Sequence, residues 1–271
     1  MTDDDVTSID VNAPPLRSWP VMSQFWSDLA FLHWFVPPAT VAPYLPPGAA
    51  PDVLSHGRFR GLTPVALVPF KMVGAGFGNG PAIPYFGTFW ETNVRLYSVD
   101  SQGRHGVVFR SLDASRLAVV VGARLSLGLP YRFARMRGYE RQHLGARELG
   151  WTSSTRWPGP AGVQSRVAIR AGAVTHHFRS GRQDETPGGE EDLAAFLTAR
   201  WGLHTMAFGR SMFIPNEHEP WTLRAAEVLL LDDGLLAEAG FPDLAKREPD
   251  HVCFAEGVRT RFGLPRSNQQ T

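Results

Sequence analysis

The chain predicts an α+β protein dominated by antiparallel β-structure, and three observations predict it. Segments rich in Val, Phe, Leu and Tyr recur, each bounded by Gly, Pro, Asp or Ser, as strands are. Only one stretch has an uninterrupted helical spacing of apolar residues. The 22 prolines and 27 glycines among 271 residues break the chain into short pieces.

Taken in order, residues 1–20 read as a flexible tail, because an acidic start and the pair Pro14-Pro15 leave little to bury. Residues 25–36 hold Trp26, Phe31, Trp34 and Phe35 and stop at Pro37-Pro38, where a backbone donor is lost. A second proline-rich piece, 43–51, reads as turns and extended chain. Strands are expected over 59–70, 87–99, 106–112, 118–127, 163–169 and 176–179, with residues 99–104 forming a hairpin loop. A helix is expected over 190–201, where Leu193, Phe196 and Leu197 fall at helical spacing behind an acidic first turn. A polar loop at 180–189 precedes it, and a second helical pattern at 237–247 is interrupted by Gly240 and Pro242. No repeat or linker divides residues 21–271, which therefore read as one domain.

Composition excludes several function classes. There are 27 basic and 26 acidic residues, a formal charge of +1, which argues against a dedicated nucleic-acid binder. No apolar run approaches the ~20 residues of a membrane-spanning helix, and the acidic start, Met1 to Asp5, is unlike a secretory signal. A single cysteine, Cys253, forms no internal disulfide, which fits a cytoplasmic location. Only Lys71 and Lys246 among the basic residues are lysines, which limits any chemistry that needs an amine.

The most informative strand is Glu91-Thr92-Asn93-Val94-Arg95-Leu96-Tyr97. Alternation puts Glu91, Asn93, Arg95 and Tyr97 on one face and Thr92, Val94 and Leu96 on the other. The polar face either meets solvent or, in a closed sheet, lines an interior. Gly74, Gly76, Gly78 and Gly80 do not make a phosphate loop, since Pro81 and Pro84 follow instead of a helix. They read as a mobile loop, with a lid as its functional version. The nine histidines lack metal-ligand spacing, so neither a metal nor another cofactor is expected. Cys253 reads as a buried small hydrophobe, and Ser111 lacks the flanking glycines of a hydrolase elbow. Arg132, Arg135, Arg137, Arg141 and Arg147 form a basic run, either a solvated face or, in part, an anchor for an anionic ligand.

Several motifs recur together in order: Leu32-His33-Trp34-Phe35-Val36-Pro37-Pro38, Leu45-Pro46-Pro47-Gly48, Phe89-Trp90-Glu91-Thr92-Asn93-Val94-Arg95, Phe109-Arg110-Ser111-Leu112-Asp113-Ala114, Leu129-Pro130-Tyr131 and His218-Glu219-Pro220-Trp221. The series, spanning about residues 22–265, resembles the YqjF-like family of the acetoacetate decarboxylase-like superfamily. The resemblance implies a closed, cone-shaped antiparallel β-barrel with peripheral helices, an interior ligand cavity and a tendency to form homo-oligomers. Decarboxylases of that superfamily use a lysine Schiff base activated by a neighbouring cation. In the similar segment here, Tyr131 stands where the reactive lysine would be and Arg132 at its neighbour. Tyrosine has no amine and arginine stays protonated, so imine formation at that position is not expected. Glu91 matches the superfamily's cavity glutamate.

Two functions follow as expectations. One is a lysine-independent enzyme on a small oxo-acid or related metabolite, with Glu91 as acid or base and Tyr131 as proton donor. Asn93, Arg95, Arg124 and Arg132 would bind the ligand. The other is a non-catalytic protein that binds a small, anionic or apolar ligand.

Overall fold

A computed structural model of the chain describes residues 9–177 and 190–267. The strands are β1 (Met22–Val36), β2 (Ala49–Pro51), β3 (Thr63–Phe77), β4 (Phe89–Asp100), β5 (His105–Ala114), β6 (Tyr131–His143) and β7 (Ala146–Trp157). They continue with β8 (Gln164–His177), β9 (Gly202–Ala207), β10 (Arg210–His218), β11 (Thr222–Asp233), β12 (His251–Phe262) and β13 (Arg266–Ser267). Helices are few: α1 (Pro38–Val41), α2 (Leu117–Leu127), α3 (Glu190–Thr198) and α4 (Leu235–Glu238).

All the strands join one sheet in the order β13-β10-β9-β5-β6-β7-β8-β11-β12-β1-β3-β4-β2. Pairing is antiparallel except where β5 meets β6 and β9. A β4–β5 pairing returns the hydrogen-bonded path that leaves β5 through β6 to β5 itself, and a β10–β12 pairing closes a second path through β9 and β5. The expected strand-dominated α+β architecture is therefore present. Among the described residues no helix is long and apolar enough to cross a membrane.

The sheet separates two large cores, beside a third, smaller cluster of Val107, Leu112, Leu129, Leu203 and Ile214. One contains Leu32, Trp34, Leu67, Leu96, Trp151 and Phe254. The other contains Phe31, Val68, Phe70, Tyr97, Leu223 and Cys253, covered by Val120 of α2 and Leu197 of α3. From Leu29 to Val36 strand β1 is buried on both faces, so its apolar residues run on without alternation. That is why residues 25–36 show aromatic density in sequence but no strand period.

Several expected elements differ. Residues 117–127 form α2, not a strand, despite Val119-Val120-Val121. Only Val120 of this helix is buried. The helix ends at Gly128, whose left-handed φ of 64° closes the last turn, and a Cβ there would lie 2.1 Å from the Met206 carbonyl. Residues 74–77, expected in a mobile loop, continue β3. A Cβ on Gly76 would sit 2.5 Å from the Pro81 carbonyl, so close backbone approach explains that glycine. Helix α3 stops at Thr198 rather than 201, because Arg200 binds the Phe196 carbonyl and Trp201 donates to His105 of β5. The 237–247 pattern splits into α4 and a 3₁₀ turn, Leu244–Lys246. Within the expected tail, the Asp10 carbonyl accepts from the Trp201 indole and the Leu16 amide donates to Glu217. The expected loop at 180–189 lies outside the described residues, as do residues 178–179 of the strand expected over 176–179.

Candidate functional site

Strand β4 turns Glu91 and Asn93 toward the second core, as the alternation predicts. Glu91 pairs in register with Phe70 of β3 and Ala114 of β5, and Asn93 with Val68 and Leu112. Leu112 in turn pairs with Tyr131 at the start of β6, where the chain emerges from Gly128-Leu129-Pro130. Tyr131 thereby reaches across β5, and its hydroxyl donates to Glu91 Oε2 at 2.9 Å. Asn93 also hydrogen-bonds the Glu91 carboxyl, while its own Oδ1 is buried without a hydrogen-bond partner.

Burial decides the electrostatics of this pair. Glu91 is 2% exposed, and desolvation pushes its pKa up to about 7 against the opposing hydrogen bonds from Tyr131 and Asn93. The Tyr131 hydroxyl is pushed well above its usual value, first by burial and then by the adjacent carboxylate. Around neutral pH the glutamate can therefore exchange a proton while the tyrosine remains a donor.

Arg95 lies further along the same face. Its Nη2 donates to the Tyr97 hydroxyl at 2.8 Å and to the Leu197 carbonyl at 3.3 Å, and its guanidinium lies 5.1 Å from the Phe31 ring centroid. The Nε of Arg95 is buried without a partner. The arginine lies within electrostatic reach of His218 and Cys253, where burial dominates its charge. Burial holds His218 near 4, so it is neutral between Trp201 and Trp221, whose ring centroids lie 4.6 and 5.0 Å from it. Burial also pushes the Cys253 thiol up to about 12, leaving it a packing residue.

Two of the expected ligand-binding arginines point elsewhere. Arg132 follows Tyr131 and so faces the other side of the sheet, where its Nε donates to Asp113 at 2.9 Å. Asp113 is fully buried and also accepts from Ser153 at 2.7 Å and Thr155 at 2.8 Å. Arg124 sits on α2 and donates to the Tyr131 carbonyl at 3.0 Å, outside the interior. The structure thus brings together Glu91, Asn93 and Tyr131, keeps Arg95 on their face, and separates Arg124 and Arg132 from them.

Asn216 and His218, outside the expected site residues, share one face of β10. Asn216 Oδ1 and the Trp26 indole nitrogen are buried without partners. The alternation Asn216-Glu217-His218 is the signal that could have found them. Among the described residues, no group of three or more His, Cys, Asp and Glu side chains could hold a metal ion.

Comparison with known proteins agrees with this architecture. A protein from Bacillus subtilis (strain 168) described as uncharacterized protein YqjF is 26% identical over 207 residues, 76% of each chain. The enduracididine biosynthesis enzyme MppR, solved with pyruvate, superposes with a TM-score of 0.57 at 14% identity, covering 93% of this chain and 92% of that one. Acetoacetate decarboxylase from Legionella pneumophila gives 0.53 at 11% identity, covering 94% and 91%. An acetoacetate decarboxylase-like enzyme from Sphingomonas wittichii RW1 gives 0.55 at 13% identity, covering 92% of both chains. These likenesses establish an acetoacetate decarboxylase-like fold. The profile of DUF2071, described as an uncharacterized conserved protein, matches residues 23–259, and the chain belongs to that family.

Proposed function

We propose that Glu91 and Tyr131 form a proton-transfer pair acting on a small carbonyl compound, such as a 2-oxo acid, without a Schiff base. The observation that carries the reading is the 2.9 Å hydrogen bond between a glutamate held near pKa 7 and a tyrosine held protonated. As base, the Glu91 carboxylate takes a proton from the carbon next to the carbonyl. The Tyr131 hydroxyl then turns from Glu91 to hydrogen-bond the oxygen on which negative charge develops. Arg95, with a buried unpartnered Nε, supplies the anchor for a carboxylate. The pyruvate bound by the fold neighbour MppR supports the choice of substrate class.

Proton exchange tests this directly. In D2O, the methyl signal of pyruvate should fall faster with the protein than without it, and Glu91→Gln should abolish the difference with the fold intact. Wild-type exchange equal to the blank rejects the reading. The buried unpartnered atoms of Asn93, Arg95, Asn216 and Trp26 favour a second reading, a non-catalytic binding site. Saturable binding of pyruvate with no exchange would select it.

A further inference from the structure

A cleft of about 700 Å3 opens between β4 and β6, beside Trp90. It arises from strand lengths. The ladder of β5 with both neighbours ends at Ala114, which pairs with Glu91 of β4 and Phe133 of β6. Beyond Ala114 the chain turns through Ser115 and Arg116 into α2, so no strand separates Trp90 from residues 134–137.

Four cations line this gap: Lys71, Arg116, Arg135 and Arg137. Among the described residues no Asp or Glu lines it. Among the described residues, Arg104, Arg141, Arg147, Arg170 and Arg224 each pair with a carboxylate, whereas none of these four forms an ion pair. Lys71 instead lies over the Trp90 indole, 5.4 Å from its centroid, and Arg116 donates to the Tyr85 and Ser115 carbonyls. Two hydroxyls in the wall are set as donors. Thr88 Oγ1 accepts from the Gly74 amide at 3.2 Å, and Ser115 Oγ accepts from the Trp90 amide at 3.0 Å. Each hydroxyl keeps its own proton to give.

We infer that this cleft binds a small molecule bearing a phosphate or diphosphate. A concave surface of one charge sign focuses its field on an anion, and the guanidinium fork matches phosphate oxygens in pairs. Four cations and two hydroxyl donors exceed what a single carboxylate can use. The charge is also local. Further along the same hairpin Arg141 and Arg147 are neutralised by Glu148 and Glu140, so there is no continuous basic track for a nucleic acid. This site is separate from the proton-transfer pair, since neither Glu91 nor Tyr131 lines it.

Calorimetric titration with pyrophosphate, inorganic phosphate and citrate at constant ionic strength tests it. Pyrophosphate should bind saturably, at one site per chain, and more tightly than phosphate or citrate. Arg135→Ala/Arg137→Ala should weaken pyrophosphate by roughly tenfold or more, a change of at least about 1.4 kcal/mol. Both side chains are exposed, so the double variant should keep its circular dichroism and melting temperature. Thr88→Val should weaken binding without removing charge, which separates a built site from diffuse attraction. Arg210→Ala, at the start of β10, should change nothing. Absent binding, citrate as tight as pyrophosphate, or an unaltered affinity in the double variant would each overturn the assignment.

Discussion

Lys71 pairs in register with Trp90, one position away from the Phe70–Glu91 pair, and therefore faces away from Glu91. The other lysine, Lys246, has a side chain 75% exposed and pairs with Asp243. Neither amine shares the interior with Glu91 and Tyr131. Borohydride reduction in the presence of pyruvate should consequently leave the intact mass unchanged. A stable adduct on Lys71 would restore the imine route.

Glu91 should make stability fall as pH rises. Its folded pKa, about 7, lies above the ordinary value of 4.5, so the unfolded chain releases the proton first. Between those values the native state binds more protons and loses stability with pH, by at most about 3 kcal/mol across the window. The contribution is fully present below pH 4.5 and gone above 7. Glu91→Gln keeps an acceptor for Tyr131 but has no charge to bury. Urea unfolding at pH 5 and pH 8 should show the variant gaining on the wild type at the higher pH. A constant difference between the two pH values would show that Glu91 does not titrate across this window.

The face carrying Glu91 was legible because strand alternation is local: it needs only the order Glu91, Asn93, Arg95. The pairing of Glu91 with Tyr131 came from the similar family segment, and the structure brings the two side chains together through β5. Arg132 was misplaced for the same local reason read too coarsely, since its neighbour Tyr131 takes the inward face and leaves it the outward one. Its partner Asp113 lies 19 residues away, and Ser153 and Thr155 lie 40 and 42 residues from Asp113, so no short-range pattern announces such a contact. Helix α2 was hidden because Val119-Val120-Val121 satisfy strand propensity, while the Gly128 turn and the burial of Val120 are tertiary facts. Strands β6, β7 and β9–β12 were passed over because polar and charged residues interrupt their apolar positions.

Acid should unfold the protein through its neutral histidines. Burial holds His218 and His251 near 4, below the ordinary 6.5, and lowers His33 and His204 as well. A depressed folded pKa means the unfolded chain takes up the proton first, so stability is lost as pH falls from 6.5 to 4. Two such groups supply up to several kcal/mol, opposing and exceeding the Glu91 term. Trp26, Trp201 and Trp221 surround His218 and report on it. Their fluorescence should shift to the red at a lower temperature at pH 5 than at pH 7. Equal midpoints at the two pH values would contradict this.

Arg132 should prove a structural residue rather than a ligand anchor. Its guanidinium meets an Asp113 carboxylate that is fully buried, and Glu238 lies 3.8 Å from its Nη1. Asp113→Ala leaves a buried cation and two buried hydroxyls without their shared acceptor, at a cost of about 3–5 kcal/mol. Arg132→Ala leaves the buried carboxylate with only the Ser153 and Thr155 hydroxyls, at a similar cost. Replacing both partners removes the uncompensated charge, so the double variant should be more stable than the sum of the single losses implies. Denaturant midpoints of the four proteins give the coupling. Pyruvate affinity of any folded Arg132 variant should match the wild type, and a selective loss of affinity would return Arg132 to the ligand site.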